Sequence, residues 1–298
     1  MSACDGRFAP SPTGTLHLGN LRTALLAWLF ARSAGARFLV RMEDLDAGRV
    51  RPGSAEEQLA DLAALGLDWD GEVVFQSSRL ALYSSALEAL RSQGRFYECF
   101  CTRAEIRAAA SAPHGPLSEG AYPGTCLRLS ASELAARRAA GRPPALRVHA
   151  AGPRVAFEDR LMGRNEGVVD DFVVRRNDGA PAYNLAVVVD DAAQGVGEVV
   201  RGSDLVDSTP RQLWLARALG LAAPEFAHVP LVLGADGARL AKRHGAVTLR
   251  EVGAGAALAW MAGTLGLRRA RTARELLAGF DPARLPSADT RFAAAPRS

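Results

Sequence analysis

The stretch Arg7-Phe8-Ala9-Pro10-Ser11-Pro12-Thr13-Gly14-Thr15-Leu16-His17-Leu18-Gly19-Asn20 decides the fold. Arg7–Ala9 reads as a short strand, and Pro10–Gly14 is a dense turn signal. From Leu18 the apolar residues Leu21, Leu25, Trp28 and Leu29 fall at helical spacing, and Gly35 stops the helix. Phe38–Met42 reads as a second strand, ending in Glu43-Asp44-Leu45-Asp46. Strand, glycine turn, helix and strand make a βαβ unit, so the spacing predicts an α/β fold with a parallel sheet. A turn that opens a helix presents backbone N–H groups at a positive helix end, which suits phosphate. His17 at the helix mouth can donate to phosphate oxygens, and Gly19 lets a nucleotide approach without a Cβ in the way.

Further along, Ala55–Leu65 and Arg79–Gln93 read as helices. Val168–Arg175 and Tyr183–Val189 read as buried strands, the second ending at Asp190-Asp191. Val196–Arg201 is another strand, and a helix runs from Ser208-Thr209-Pro210 to Gly220 with Ser208 as its cap. Phe226–Leu233 returns as a strand into the turn at Gly234–Gly237, and Ala256–Leu265 reads as a helix. The Ala/Arg/Pro-rich tail beyond Gly279 reads as loosely ordered. The expected organisation is a first half-sheet over 1–94, an inserted subdomain over 95–160, a second half-sheet over 161–235, and a loop, helical extension and tail over 236–298.

The 298 residues suffice for two domains and are 48% apolar and 23% charged, which excludes disordered and fibrous classes. No signal peptide or membrane-length apolar run is present, so a cytoplasmic location without membrane association is expected. The net charge of +4 permits a polyanionic partner without demanding one. Of 36 cationic residues 35 are Arg, and alanine occurs 57 times, which reads as a composition bias. Against it stands one lysine, Lys242. The clusters Arg137-Arg138-Arg142 and Arg268-Arg269-Arg271-Arg274 read as solvated faces rather than RNA contacts.

Arg7-Phe-Ala-Pro-Ser-Pro-Thr-Gly-x-Leu-His-Leu-Gly-Asn-x-Arg-Thr-Ala24 resembles the signature of class I glutamyl-tRNA synthetases, with His17–Asn20 as the class's first signature element. Arg41–Asp46, Tyr183–Asp191 and Val200–Asp204 are similar to three further blocks in the family's order. The resemblance covers about residues 5–250 and implies a Rossmann-type class I catalytic core that binds ATP with Mg2+. It places Pro10, Thr13, Gly14, His17, Gly19, Asn20 and Lys242 at ATP. The second signature, usually Lys-Met-Ser-Lys-Ser, is Arg239-Leu240-Ala241-Lys242-Arg243 here. A compact ammonium on a flexible stem suits a loop that follows a departing pyrophosphate, where a planar guanidinium does not. His17 and Lys242 are therefore the expected catalytic pair.

The resemblance also places Arg7, Ala9, Ser11, Glu43, Tyr183 and Arg201 at a glutamate pocket. Arg201 can clamp a carboxylate with two N–H groups, Glu43 can pair with the ammonium, and Tyr183 supplies a wall. Many family members carry Asn where this chain has Val187, which implies a pocket with one amide fewer.

Cys99, Cys101 and Cys126 read as a metal site, for which the residues alone offer His114 as the fourth ligand. The glutamyl-Q-tRNA(Asp) synthetases, short relatives of the glutamyl enzymes, look like this in the same insertion, and the resemblance favours Tyr122 and Zn2+. Only 56 residues follow Lys242, too few for the family's helical anticodon-binding domains. That resembles the glutamyl-Q group, which implies tRNA-independent activation of glutamate, transfer to queuosine in the anticodon loop of tRNA(Asp), and a monomer. The alternatives are a minimal enzyme charging the 3′ end of tRNA(Glu) and a non-catalytic RNA-binding paralogue.

Overall fold

The protein is described by a computed structural model covering residues 4–102, 104–106, 122–241, 244 and 247–292. Its elements are β1 (Asp5–Phe8), α1 (Leu18–Ser33), β2 (Phe38–Met42), α2 (Ser54–Ala64), β3 (Val74–Phe75), α3 (Leu80–Ser92) and β4 (Phe96–Cys99). They continue with α4 (Ala131–Ala139), β5 (Ala145–Val148), β6 (Arg154–Asp159), β7 (Gly163–Val168), β8 (Val173–Arg175), α5 (Tyr183–Ala193), β9 (Val196–Gly202) and α6 (Thr209–Leu219). The last are β10 (Glu225–Val229), β11 (Val232–Leu233), α7 (Leu249–Val252), α8 (Ala254–Thr264), α9 (Ala273–Gly279) and β12 (Thr290–Arg291).

Seven strands form one sheet in the order β3-β2-β1-β9-β10-β6-β7. All its pairings are parallel except β6 with β7. Both faces are covered, as a parallel sheet requires. Neighbouring residues show it: Val199 and Phe226 belong to the core under α3, α5 and α6, whereas Val200 and Ala227 belong to the core around α1, α7, α8 and α9. Gly6 allows the close approach of α1, because a Cβ there would stand 3.1 Å from Ala31 Cβ. The chain runs outward from β1 through β2 to β3, then returns to add β9 and β10 on the other side of β1. The reversal between β1 and β9 leaves a crevice beyond their carboxyl ends, where such sheets bind ligands.

A small antiparallel sheet, β4-β5-β8, carries the cysteine segment. Because β6 and β7 join the large sheet and β8 the small one, the chain passes between the sheets more than once. The inserted unit expected over 95–160 is thus interleaved with the second half-sheet rather than set apart from it.

Two local expectations are corrected. Tyr183–Ala193 is a helix, not a strand. Leu185 through Asp191 are all buried, so the segment lacks the polar stripe that marks a helix, and its Val187-Val188-Val189 run imitates a buried strand. The described part of the tail is packed: β12 pairs parallel with β11, and the Phe292 ring packs edge-on against Trp260 at 5.3 Å. Among the described residues no helix is long and apolar enough to cross a membrane.

Candidate functional site

The crevice between β1 and β9 is a cavity of about 710 Å³. Every described residue expected at ATP or glutamate lines it: Arg7, Ala9, Pro10, Ser11, Thr13, Gly14, His17, Gly19, Asn20, Glu43, Tyr183 and Arg201. Lys242 and Arg243 lie outside the described residues, as does His114. Arg239, which opens the same loop, lines the mouth and pairs with Asp204.

The turn after β1 is shaped by hydrogen bonds from outside it. Glu43 N–H donates to the Pro10 carbonyl at 2.9 Å, and Arg51 N–H donates to Pro12 at 3.0 Å. Gln58 of α2 donates its amide to the carbonyls of Ser11 at 3.1 Å and Gly14 at 2.7 Å. Sequence reasoning did not assign Gln58. The available signal was a polar residue on the buried stripe of α2, in step with Ala55 and Leu62.

His17 caps α1. Its Nδ1 accepts from Asn20 N–H at 3.2 Å, and the Asn20 side chain accepts from His17 N–H at 3.3 Å. This reciprocal cap fixes the ring, and with Nδ1 accepting, Nε2 is the nitrogen that carries the ring's N–H. A Cβ on Gly19 would stand 3.0 Å from the His17 ring and 3.4 Å from Val232. The glycine therefore makes room for the His17 ring.

Beneath the cavity lies a buried charge cluster. Asp191 accepts from Arg41 at 2.7 Å and from Arg7 at 3.5 Å, and Arg41 reaches Glu43 at 3.4 Å. Burial would raise the Asp191 carboxyl, but Arg41 and Arg7 outweigh it and hold it below its ordinary range. At Glu43 burial wins over the same two cations, and the carboxyl is pushed up. Asp190 accepts from Arg79 at 2.6 Å, Tyr83 at 2.7 Å and Gln76 at 2.8 Å. These contacts require Asp190 and Asp191 on successive positions of a helix, not at a strand end.

Arg201 differs from expectation. Its Nε donates to His228 at 3.0 Å, Nη1 to Gln212 at 2.8 Å, and Nη2 to Thr209 at 2.8 Å and the Leu205 carbonyl at 3.3 Å. Four of its five N–H groups are thus committed within the protein, and a two-pronged clamp is not what it offers. Burial pulls its pKa down. Val187 is also corrected: it is buried in the core of α3, α5 and α6 and does not line the cavity.

In the small subdomain the Cys99, Cys101 and Cys126 sulfurs lie within 4.8 Å of one another. The Tyr122 hydroxyl is 3.5 Å from the sulfurs of Cys99 and Cys101. A tetrahedral Zn–S site needs sulfurs about 3.8 Å apart, so three thiols and one phenol fit a zinc ion. The donor set would be strongly anionic. Arg147 offsets that charge, its guanidinium lying 3.7 Å over the Tyr122 ring.

The catalytic-domain model of the tRNA synthetases class I (E and Q) matches residues 4–261. Glutamyl-Q tRNA(Asp) synthetase of Nocardia farcinica is 63% identical, over 94% of this chain and 90% of its own. The Symbiobacterium thermophilum protein of the same name is 52% identical, over 97% and 96%. The crystal structure of a glutamate tRNA ligase from Elizabethkingia meningosepticum in complex with its amino acid superposes with a TM-score of 0.82 at 28% identity, over 98% of this chain and 68% of that one.

Proposed function

This chain belongs to the tRNA synthetases class I (E and Q), and on that footing we propose that it activates L-glutamate with ATP, without tRNA, and transfers it to queuosine in tRNA(Asp). The observation that carries the reading is that the stretch from Arg7 to Asn20 meets Glu43, Tyr183 and Arg201, distant in sequence, around one cavity. The relatives that match almost end to end, and share the name glutamyl-Q tRNA(Asp) synthetase, support the acceptor.

In this reading the phosphates lie at the mouth of α1, against backbone N–H groups and His17. Mg2+ bound with ATP would neutralise phosphate charge. The glutamate α-carboxylate, ionised at neutral pH, attacks the α-phosphorus. A carboxylate–phosphorus bond forms, the bond to the β-phosphate oxygen breaks, and pyrophosphate leaves with the electron pair. His17 and Lys242 stabilise the charge that develops there. Arg201 presents one N–H to a substrate carboxylate, and Glu43 faces the ammonium. A hydroxyl of the modified nucleoside then attacks the glutamyl carbonyl and AMP leaves. Cytoplasmic location and a monomeric state belong to the same proposal.

Glutamate-dependent exchange between ATP and pyrophosphate, without tRNA and across the amino acids, tests the first half. Exchange with another amino acid, or none, overturns it. Labelled glutamate offered to tRNA(Asp) with and without queuosine tests the second. Label on queuosine-free tRNA(Asp), or only on tRNA(Glu), overturns it. Lys242→Arg should lower the exchange rate at least tenfold, about 1.4 kcal/mol of barrier, and a near-wild-type rate would remove the role given to the ammonium.

Cys99, Cys101, Tyr122 and Cys126 would hold zinc as a structural clip that closes the small subdomain. Metal analysis should find about one zinc per chain. Cys126→Ser should lose most of it and lower the melting temperature. Wild-type metal content in that variant would sink the assignment.

A further inference from the structure

Arg201 is held by residues that no motif connects. Asp159, at the end of β6, and His228, in β10, are both buried, and His228 Nδ1 donates to the Asp159 carboxylate at 2.6 Å. That carboxylate also accepts from the N–H groups of Leu161 at 3.0 Å and Met162 at 2.9 Å. Burial would raise it, but these hydrogen bonds keep it below its usual range. It is therefore ionised at neutral pH and keeps a proton on Nδ1. On the other side, Arg201 Nε stands 3.0 Å from His228 Nε2. A guanidinium N–H can only donate, so Nε2 must be the unprotonated nitrogen. Gln212 is turned to accept from Arg201 because its own amide donates to Asn184 at 3.2 Å. Phe226 stacks beside His228 and lies 5.0 Å under the Arg201 guanidinium.

We propose that Asp159 and His228 form a positioning relay that fixes the tautomer of His228 and, through its bare Nε2, sets the plane of Arg201. One Nη1 N–H then has no partner among the described residues, and Arg201 lines the cavity. The relay makes Arg201 a single-point recogniser of a carboxylate oxygen, with its orientation set before substrate arrives. The functional part of this inference rests on reading the cavity as the glutamate site.

Two near-isosteric variants separate the halves of the imidazole. His228→Gln can place an acceptor where Nε2 was, whereas His228→Asn can reach only the place of Nδ1. In glutamate-dependent exchange, H228N and H228F should raise the glutamate KM about tenfold or more, with kcat within about threefold and the ATP KM within about twofold. H228Q should stay within about threefold of wild type. If H228N keeps the wild-type glutamate KM while H228Q loses it, or if all three fall alike, the relay is overturned. Nitrogen-15 NMR of histidine-labelled wild-type enzyme gives a readout independent of turnover. The Nδ1–H tautomer is expected for His228, and the Nε2–H tautomer would overturn the relay. A wild-type enzyme with no glutamate-dependent exchange would sink the substrate reading instead, and the tautomer spectrum would still decide the hold on Arg201.

Discussion

Asp191→Ala should destabilise the protein by about 3–5 kcal/mol, the cost of leaving buried charges without their partner. The Asp191 side chain is 7% exposed and is the shared acceptor of Arg7 and Arg41. Removing it leaves Arg41, fully buried, with Gln194 at 2.8 Å and the more distant Glu43 and Asp190. Arg7 keeps the Val200 carbonyl at 3.5 Å and the charge of Glu43 nearby. Total stabilities near 5–15 kcal/mol make such a loss severe. At roughly 2 °C per kcal/mol for a chain of this size, melting should fall by about 6–10 °C. Asp5→Ala is the control. Its pair with Arg37 is shorter, at 2.6 Å, but the arginine is 61% exposed. Water and salt screen that pair, and its loss should cost far less than that of Asp191. Thermal and urea unfolding of both variants decide the matter. A loss below about 1 kcal/mol for Asp191→Ala would mean that Arg7 and Arg41 find other partners.

The same cluster shows why part of the protein was legible in its sequence and part was not. Residues 7–20 form strand, turn, cap and helix start in immediate succession, so one contiguous stretch predicts the end of the cavity formed by the α1 N-terminus. The cysteine segment was legible for a similar reason: few thiols, close together in the chain. The segment over α5 failed because burial on every side removes the periodic signal, and valine-rich runs then favour the wrong element. The relay behind Arg201 was invisible because Asp159 and His228 lie 69 positions apart and meet only when β6 pairs with β10. Arg201 itself was found, but the two-pronged role given to it ignored partners that only the fold supplies. The tail carried composition and no pattern, so its pairing with β11 could not be read.

His17→Asn should slow glutamate-dependent exchange about 10²–10³-fold, the usual loss when a preorganised donor to developing charge is removed. Asn is the informative replacement because His17 has two tasks. Its Nδ1 caps α1, accepting from Asn20 N–H, and its Nε2–H is the donor proposed to act on phosphate. An Asn side chain keeps an acceptor at the cap, where that residue type is strongly preferred, and removes the rest of the ring. The melting temperature should therefore stay within about 2 °C of wild type while activity collapses. His17→Ala removes both tasks and should add about 1 kcal/mol of destabilisation to the same kinetic loss. His17→Gln reverses the experiment: it restores a donor near the Nε2 position and gives up the cap, so it should recover part of the rate at some cost in stability. If His17→Asn retains exchange within about fivefold of wild type, the histidine is a cap alone. The charge at the leaving pyrophosphate would then rest on the backbone N–H groups of α1 and on Lys242.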